Sequence, residues 1–125
     1  MTIADLVHVL EGEVVCCDGK LSREVRDFAA SDLLSDVLAV EKENYALLTG
    51  LTNSQIVRTA EITNAACIVV VRNKRPQQAA VALAERGGVP LILTRFNMFD
   101  ACVRISRLLE QKDGGASRPT NPSGT

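Results

Sequence analysis

Between Tyr45 and Leu109 a short apolar run, a polar turn and an amphipathic run follow one another three times. The apolar runs are Tyr45-Ala46-Leu47-Leu48, Cys67-Ile68-Val69-Val70-Val71 and Pro90-Leu91-Ile92-Leu93. Runs this short, bounded by polar loops and followed by helical-period segments, predict buried parallel strands joined by crossover helices. Asn53 or Ser54 caps the first of those helices, which presents Ile56, Val57, Ala60 and Ile62. Pro76 suits the first position of the second, which shows Ala79, Ala80, Leu83 and Ala84 and stops at Gly87-Gly88. The third carries Met98, Phe99, Cys102, Val103, Ile105 and Leu109.

The pattern before this core is less regular. Thr2 predicts the N-cap of a helix to about Leu10, with Gly12 as its stop. Glu13 to Cys17 reads as a strand and Asp18-Gly19-Lys20 as a turn. Glu24 to Ala30, with Val25 and Phe28, reads weakly as a second strand. Ser31 or Asp32 caps a helix with Leu33, Leu34, Val37 and Leu38, and Asp32 and Asp36 suit its dipole. The expected fold is α/β, a single domain over residues 1–111 with a mainly parallel sheet of about four to five strands flanked by helices. From residue 112 onward the chain is Gly, Ser, Pro, Thr and Asn with almost no apolar content, so 112–125 is expected to be a disordered tail.

Composition narrows the function classes. The 125 residues include 14 basic and 15 acidic side chains, a net charge of −1. That balance gives no basic excess for nucleic acid. Lys74, Arg75, Arg86, Arg104 and Arg107 read as solvated helix surface, with no recognition helix beside them. No apolar run approaches the ~20 residues of a membrane span. Met1-Thr2-Ile3-Ala4-Asp5 lacks the basic start of a signal peptide, so a cytoplasmic protein is expected.

The cysteines are Cys16, Cys17, Cys67 and Cys102, none in C-x-x-C spacing. Cys67 and Cys102 read as small core residues. Neighbours on a strand point to opposite faces, so Cys16 and Cys17 are not expected to clasp one metal. His8, the only histidine, sits in an apolar helix and reads as a helix residue rather than a ligand. No nucleophile is identifiable around it. Gly19-Lys20 fails as a phosphate loop, with Val14 and Leu21 where Gly and Ser or Thr are needed. Catalysis is therefore not expected, nor a metal or cofactor.

Open α/β sheets bind ligands at the carboxyl ends of their strands, which directs attention to the three outgoing loops. The first carries Thr49, Gly50, Thr52, Asn53 and Ser54; the second Arg72, Asn73, Lys74 and Arg75; the third Thr94, Arg95 and Asn97. Helix N-termini with added Arg and Lys favour a phosphate or carboxylate. The plainer reading of the same residues is solvated loop and helix caps.

Ile68-Val69-Val70-Val71, Pro76, Ala84-Glu85-Arg86-Gly87-Gly88-Val89-Pro90-Leu91-Ile92-Leu93-Thr94 and Phe99 carry a resemblance. Together they resemble a DRTGG domain, a pattern shared with the N-terminal domain of HPr kinase/phosphorylase. The likeness reaches back to Ser31–Leu38 and covers most of residues 13 to 109. The family's Asp-Arg-Thr falls near Gly50-Leu51-Thr52-Asn53, where neither Asp nor Arg stands, and its Gly-Gly near Arg72-Asn73, where no glycine stands. The resemblance implies a homodimeric accessory module, found beside pyrophosphatase, phosphotransacetylase or kinase domains or alone near hydrogenase genes.

The expected function is therefore a non-catalytic regulatory or ligand-sensing module. It would bind a small anion or nucleotide at Thr49, Gly50, Thr52, Asn53, Arg72, Asn73, Lys74, Thr94 and Arg95. The alternative is a protein–protein interaction module for a partner redox or signalling enzyme, without a small ligand.

Overall fold

A computed structural model describes residues 1–112, so the residues beyond, where a disordered tail is expected, lie outside the described chain. The elements are α1 (Ile3–Val9), β1 (Glu13–Cys16), a 3-10 turn (Asp18–Lys20), β2 (Asp27–Ala30), α2 (Leu34–Leu38), β3 (Tyr45–Thr49), α3 (Ser54–Ile62), β4 (Ala65–Val70), α4 (Gln78–Gly87), β5 (Leu91–Leu93) and α5 (Met98–Lys112). The five strands form one sheet in the order β1-β5-β4-β3-β2. β2, β3, β4 and β5 are parallel neighbours, and β1 joins β5 antiparallel. The chain is a single α/β domain with a mostly parallel sheet.

The apolar runs are continuous because both faces of the central strands are covered. Tyr45, Leu47, Ile68, Val70, Leu91 and Leu93 point to one face, against Val37 of α2, Ile56, Val57 and Ala60 of α3, and Ala80 and Ala84 of α4. Ala46, Leu48, Cys67, Val69 and Ile92 point to the other, against Ile3 and Leu6 of α1 and Ala101 and Ile105 of α5. Successive crossovers through α2, α3 and α4 thus stay on one face. Only the connection after β5 passes to the other.

Local chemistry explains most element ends. Thr2 Oγ1 accepts from the Asp5 amide at 3.2 Å, and the Thr2 amide donates to the Asp5 carboxylate at 2.9 Å. This reciprocal box starts α1. Its stop differs from expectation: Glu11, not Gly12, takes the left-handed conformation, at φ 51°. Gly12 is needed for space, since a Cβ there would fall 2.7 Å from Ile92 Cγ2. Gly88 ends α4 at φ 70°, as its position predicted. Pro76 lies just ahead of α4 rather than within its first turn, and Gln77 is the N-cap.

Two further expectations are corrected. Cys17 lies past the end of β1 in the left-handed region (φ 65°), so alternation along a strand does not apply to it. Both thiols consequently pack into the same core face as α4. The N-cap of α2 is Leu33, with no side-chain cap, so Asp32 is released for other work.

The outer edge of β2 is blunted. The Phe28 amide donates to the Asp27 carboxylate at 2.8 Å, and Lys42 donates to the Phe28 carbonyl at 2.6 Å. With these groups occupied and charged, the edge resists pairing with another strand.

Candidate functional site

The three parallel strands deliver their loops to one rim of the sheet, and backbone hydrogen bonds lace those loops together. Gln77 N donates to Thr52 O at 3.0 Å, joining the first loop to the second. Arg72 N donates to Phe96 O and Asn73 N to Thr94 O, both at 2.8 Å, joining the second to the third. β4 leads to α4 on one face and β5 leads to α5 on the other, so the place where a crevice should open is between the second and third loops. The two bridging bonds span that place.

The bridging requires unusual backbone. Arg72 and Asn73 sit at φ 61° and 54°, successive residues in a region that glycine adopts without strain. The resemblance places the family's Gly-Gly near these positions. Their amides are consumed by Phe96 and Thr94, so the turn is no anion-binding nest. Its side chains are exposed instead. Arg72 Nη2 lies 3.0 Å from the position that a Gly50 side chain would occupy. Among the described residues neither Arg72 nor Lys74 forms an ion pair.

The threonines at the strand ends are engaged internally. Thr49 Oγ1 accepts from Leu51 N at 3.1 Å, and Thr94 Oγ1 accepts from Phe96 N at 3.3 Å while donating to Leu10 O at 2.8 Å. Both residues are fully buried. Asn53 caps α3 by accepting from Ile56 N at 3.2 Å. Arg95 donates to Glu11 at 2.7 Å and stacks on Phe96 at 4.4 Å. That guanidinium bond, with Arg104 close by, holds the Glu11 carboxyl below its ordinary range. Gly50 and Thr52 lie at the mouth of the first loop, the Gly50 amide donating to Asp32 at 2.6 Å.

Asp32 is the rim residue that sequence reasoning missed as such. β2 is a fourth parallel strand, and its outlet brings Asp32 to Gly50. The signal was present, because Ser31-Asp32 directly follows the weak strand pattern; helix capping accounted for it first.

Three hollows border α5, none touching Arg72, Asn73 or Lys74. An apolar groove of about 300 Å³ runs between β2 and α5, lined by Phe28, Ala29, Ala30, Leu48, Cys102, Ile105, Ser106 and Leu109. Cys102, expected in the core, is exposed beside it. A second hollow, about 390 Å³, lies among Phe96, Phe99, Asp100, Val103, Arg104 and Arg107. A third, about 200 Å³, lies between Val9 and the outer side of α5. No helix among the described residues is long and apolar enough to cross a membrane.

A sheet wound through three crossovers on one face, closed by an antiparallel edge strand and presenting a laced polar rim, defines a small α/β domain. The DRTGG domain model matches residues 5–108, and the chain belongs to that family. Its fold is also similar to the CBS and DRTGG domains of the regulatory region of a Clostridium perfringens pyrophosphatase, crystallised with the activator diadenosine tetraphosphate. The TM-score is 0.69 at 13% identity, over 83% of this chain. The match spans 45% of that structure's chain.

Proposed function

We propose that this domain is a non-catalytic regulatory module of the cytoplasm that senses a small phosphate-bearing anion or nucleotide at the rim. One observation carries this reading: Arg72 reaches over Gly50, where the Asp32 carboxylate also lies, from a left-handed turn, and among the described residues it forms no ion pair. A guanidinium so placed is a bidentate donor for phosphate oxygens. Lys74 adds charge on the same turn, and the N-terminus of α3, capped by Asn53, adds a positive helix end. Membership of a family found in a pyrophosphatase regulatory region that takes a dinucleoside polyphosphate supports the class of ligand. The ligand would rest on the rim rather than enter a cleft, since the second and third loops are bridged.

Thermal-shift titration with inorganic phosphate, pyrophosphate, mononucleotides and dinucleoside polyphosphates tests this reading. A ligand at 100 times its Kd stabilises the folded state by about 2.7 kcal/mol. At least one anion is expected to raise Tm, and Arg72→Ala to abolish the rise. No shift with any anion, or a shift indifferent to Arg72, overturns the rim as the sensor.

A second reading rests on a different observation, the apolar groove between β2 and α5 with Phe99 74% exposed on the same helix. It makes the domain a homodimeric interaction module for a partner redox or signalling enzyme. Equilibrium ultracentrifugation of wild type and Leu109→Glu separates the two readings. A dimer lost in the variant, with no anion response in either protein, favours interaction over sensing.

A further inference from the structure

At the end of the sheet opposite the rim, Cys16 and Cys17 occupy an arrangement that the ligand-sensing role does not use. β1 shifts register between Val14 and Cys16, and Cys17 then turns left-handed at φ 65° and ψ 41°. Cys16 Sγ contacts the Val89 carbonyl and Cys17 Sγ the Ala84 carbonyl, each at 3.6 Å. Two side chains that alternation would separate therefore converge on the C-terminal end of α4. Both thiols pack into the one apolar cluster that includes Ala80 and Ala84 of α4. Cys16 is buried, 6% exposed, while Cys17 is half-buried and reachable. The remaining thiols lie elsewhere: Cys67 is wholly buried in β4 and Cys102 is exposed on α5.

We propose that Cys16 and Cys17 form a vicinal dithiol that closes reversibly to a disulfide with a low-molecular-weight disulfide as oxidant. The Cys17 thiolate attacks one sulfur of the oxidant, forming a mixed disulfide and releasing one thiolate. Cys16 then gives up its proton, and its sulfur displaces the second thiolate to close the Cys16–Cys17 bond. The protein thiols lose two electrons, the oxidant's S–S bond is reduced to two thiols, and the two protein protons end on those thiols. The order of attack follows from access. Only Cys17 meets solvent, and burial pushes the Cys16 thiol up to about 12, which leaves it a poor first nucleophile. Closing the bond takes both sulfurs off their carbonyl contacts at Val89 and Ala84. Redox state thereby acts on the turn that joins α4 to β5.

The sequence simplifies the test. Lys20 is the first Lys or Arg in the chain, so trypsin releases Met1–Lys20 with both cysteines and no others. Cys102→Ser protein is equilibrated in glutathione buffers of rising oxidised fraction, quenched with acid, alkylated and digested. The expected peptide under oxidising conditions is unalkylated and two hydrogens lighter than the dithiol form, reverting with dithiothreitol. Cys16→Ser is expected to trap glutathione on Cys17. A peptide that stays doubly alkylated across the series overturns the proposal. So does a glutathione adduct that persists on Cys17 with Cys16 intact. Reduced protein is also expected to bind phenylarsine oxide one to one, and equal binding by Cys17→Ser overturns the proposal without recourse to oxidation. None of these readouts depends on the rim or its ligand.

Discussion

The two faces of the sheet are built differently. One is covered by α2, α3 and α4, each a crossover between adjacent parallel strands, so its packing partners are close in sequence. The other is covered by α1 and α5, from opposite ends of the described chain. Their docking carries polar ties as well as apolar contact. Glu11 accepts from Arg95 and Arg104, Arg104 Nε donates to Val9 O at 2.8 Å, and Lys112 reaches Asp5 at 3.3 Å. Crossover helices are positioned by their own short loops, whereas terminal helices depend on whatever joins them across the fold. The second face is also the incomplete one, leaving the β2 end of the sheet uncovered as the groove.

The largest expected effect compares adjacent residues of β3. Leu47 faces the three-helix side and Leu48 the groove side, and both are fully buried. Leu47→Ala is expected to cost about 3–5 kcal/mol, because its surroundings are closed and a cavity remains. Leu48→Ala is expected to cost about 2–3 kcal/mol, since the vacated space opens into the groove. Urea denaturation of both variants measures the difference. Equal costs would mean that the two faces are equally well packed.

Next in size is Asp32, which ties the β2 outlet to the Gly50 amide on the three-helix side. Asp32→Ala is expected to destabilise by about 1–2 kcal/mol through loss of a charge-assisted hydrogen bond. Asn in its place retains an acceptor and is expected to recover part of this. An effect near zero in denaturant would leave the first face held by apolar packing alone.

Much of this architecture was legible in the chain, and the reasons for the misses are physical. The three aliphatic runs announced parallel strands because burial on both faces makes them continuous. β2 was faint because it is an edge strand, with exposed Asp27 and Ala30 at its ends. Missing its role hid Asp32 from the rim. The Arg72–Asn73 turn was legible only as a departure from the family's Gly-Gly; residue type alone does not report φ. Strand alternation misplaced Cys17 because the strand ends one residue earlier. The bridging of the second and third loops rests on main-chain groups, which leave no mark in side-chain identity.

Arg72 stands where the two faces meet, between the outlet to α4 and the outlet to α5. Arg72→Gly is expected to leave stability unchanged or to raise it by up to about 1 kcal/mol. It relieves a left-handed non-glycine residue, against the added flexibility of glycine in the unfolded chain. The same variant is expected to lose the anion response. Thermal melts with and without anion read both effects together, and a destabilised Arg72→Gly would mean that the side chain, not the backbone bridge, holds the loops.

The smallest effect concerns the polar ties of the second face. Glu11 is lowered from its ordinary value of 4.5, first by the Arg95 hydrogen bond and then by the charges of Arg95 and Arg104. Glu13, two residues along the chain from Glu11, is lowered likewise by Arg75. A carboxylate depressed on folding adds stability that is fully present above its unfolded value. That stability is lost as pH falls from about 4.5 through the lower folded value. The pairs are exposed, so the loss is slight and shrinks further with salt. Glu11→Gln is expected to flatten the acid limb of the stability curve and to quicken amide exchange in α1 and α5 more than in α3 and α4. Exchange quickened equally in all four helices would show that the terminal helices do not rely on this tie, and the contrast between the faces would then reduce to the groove alone.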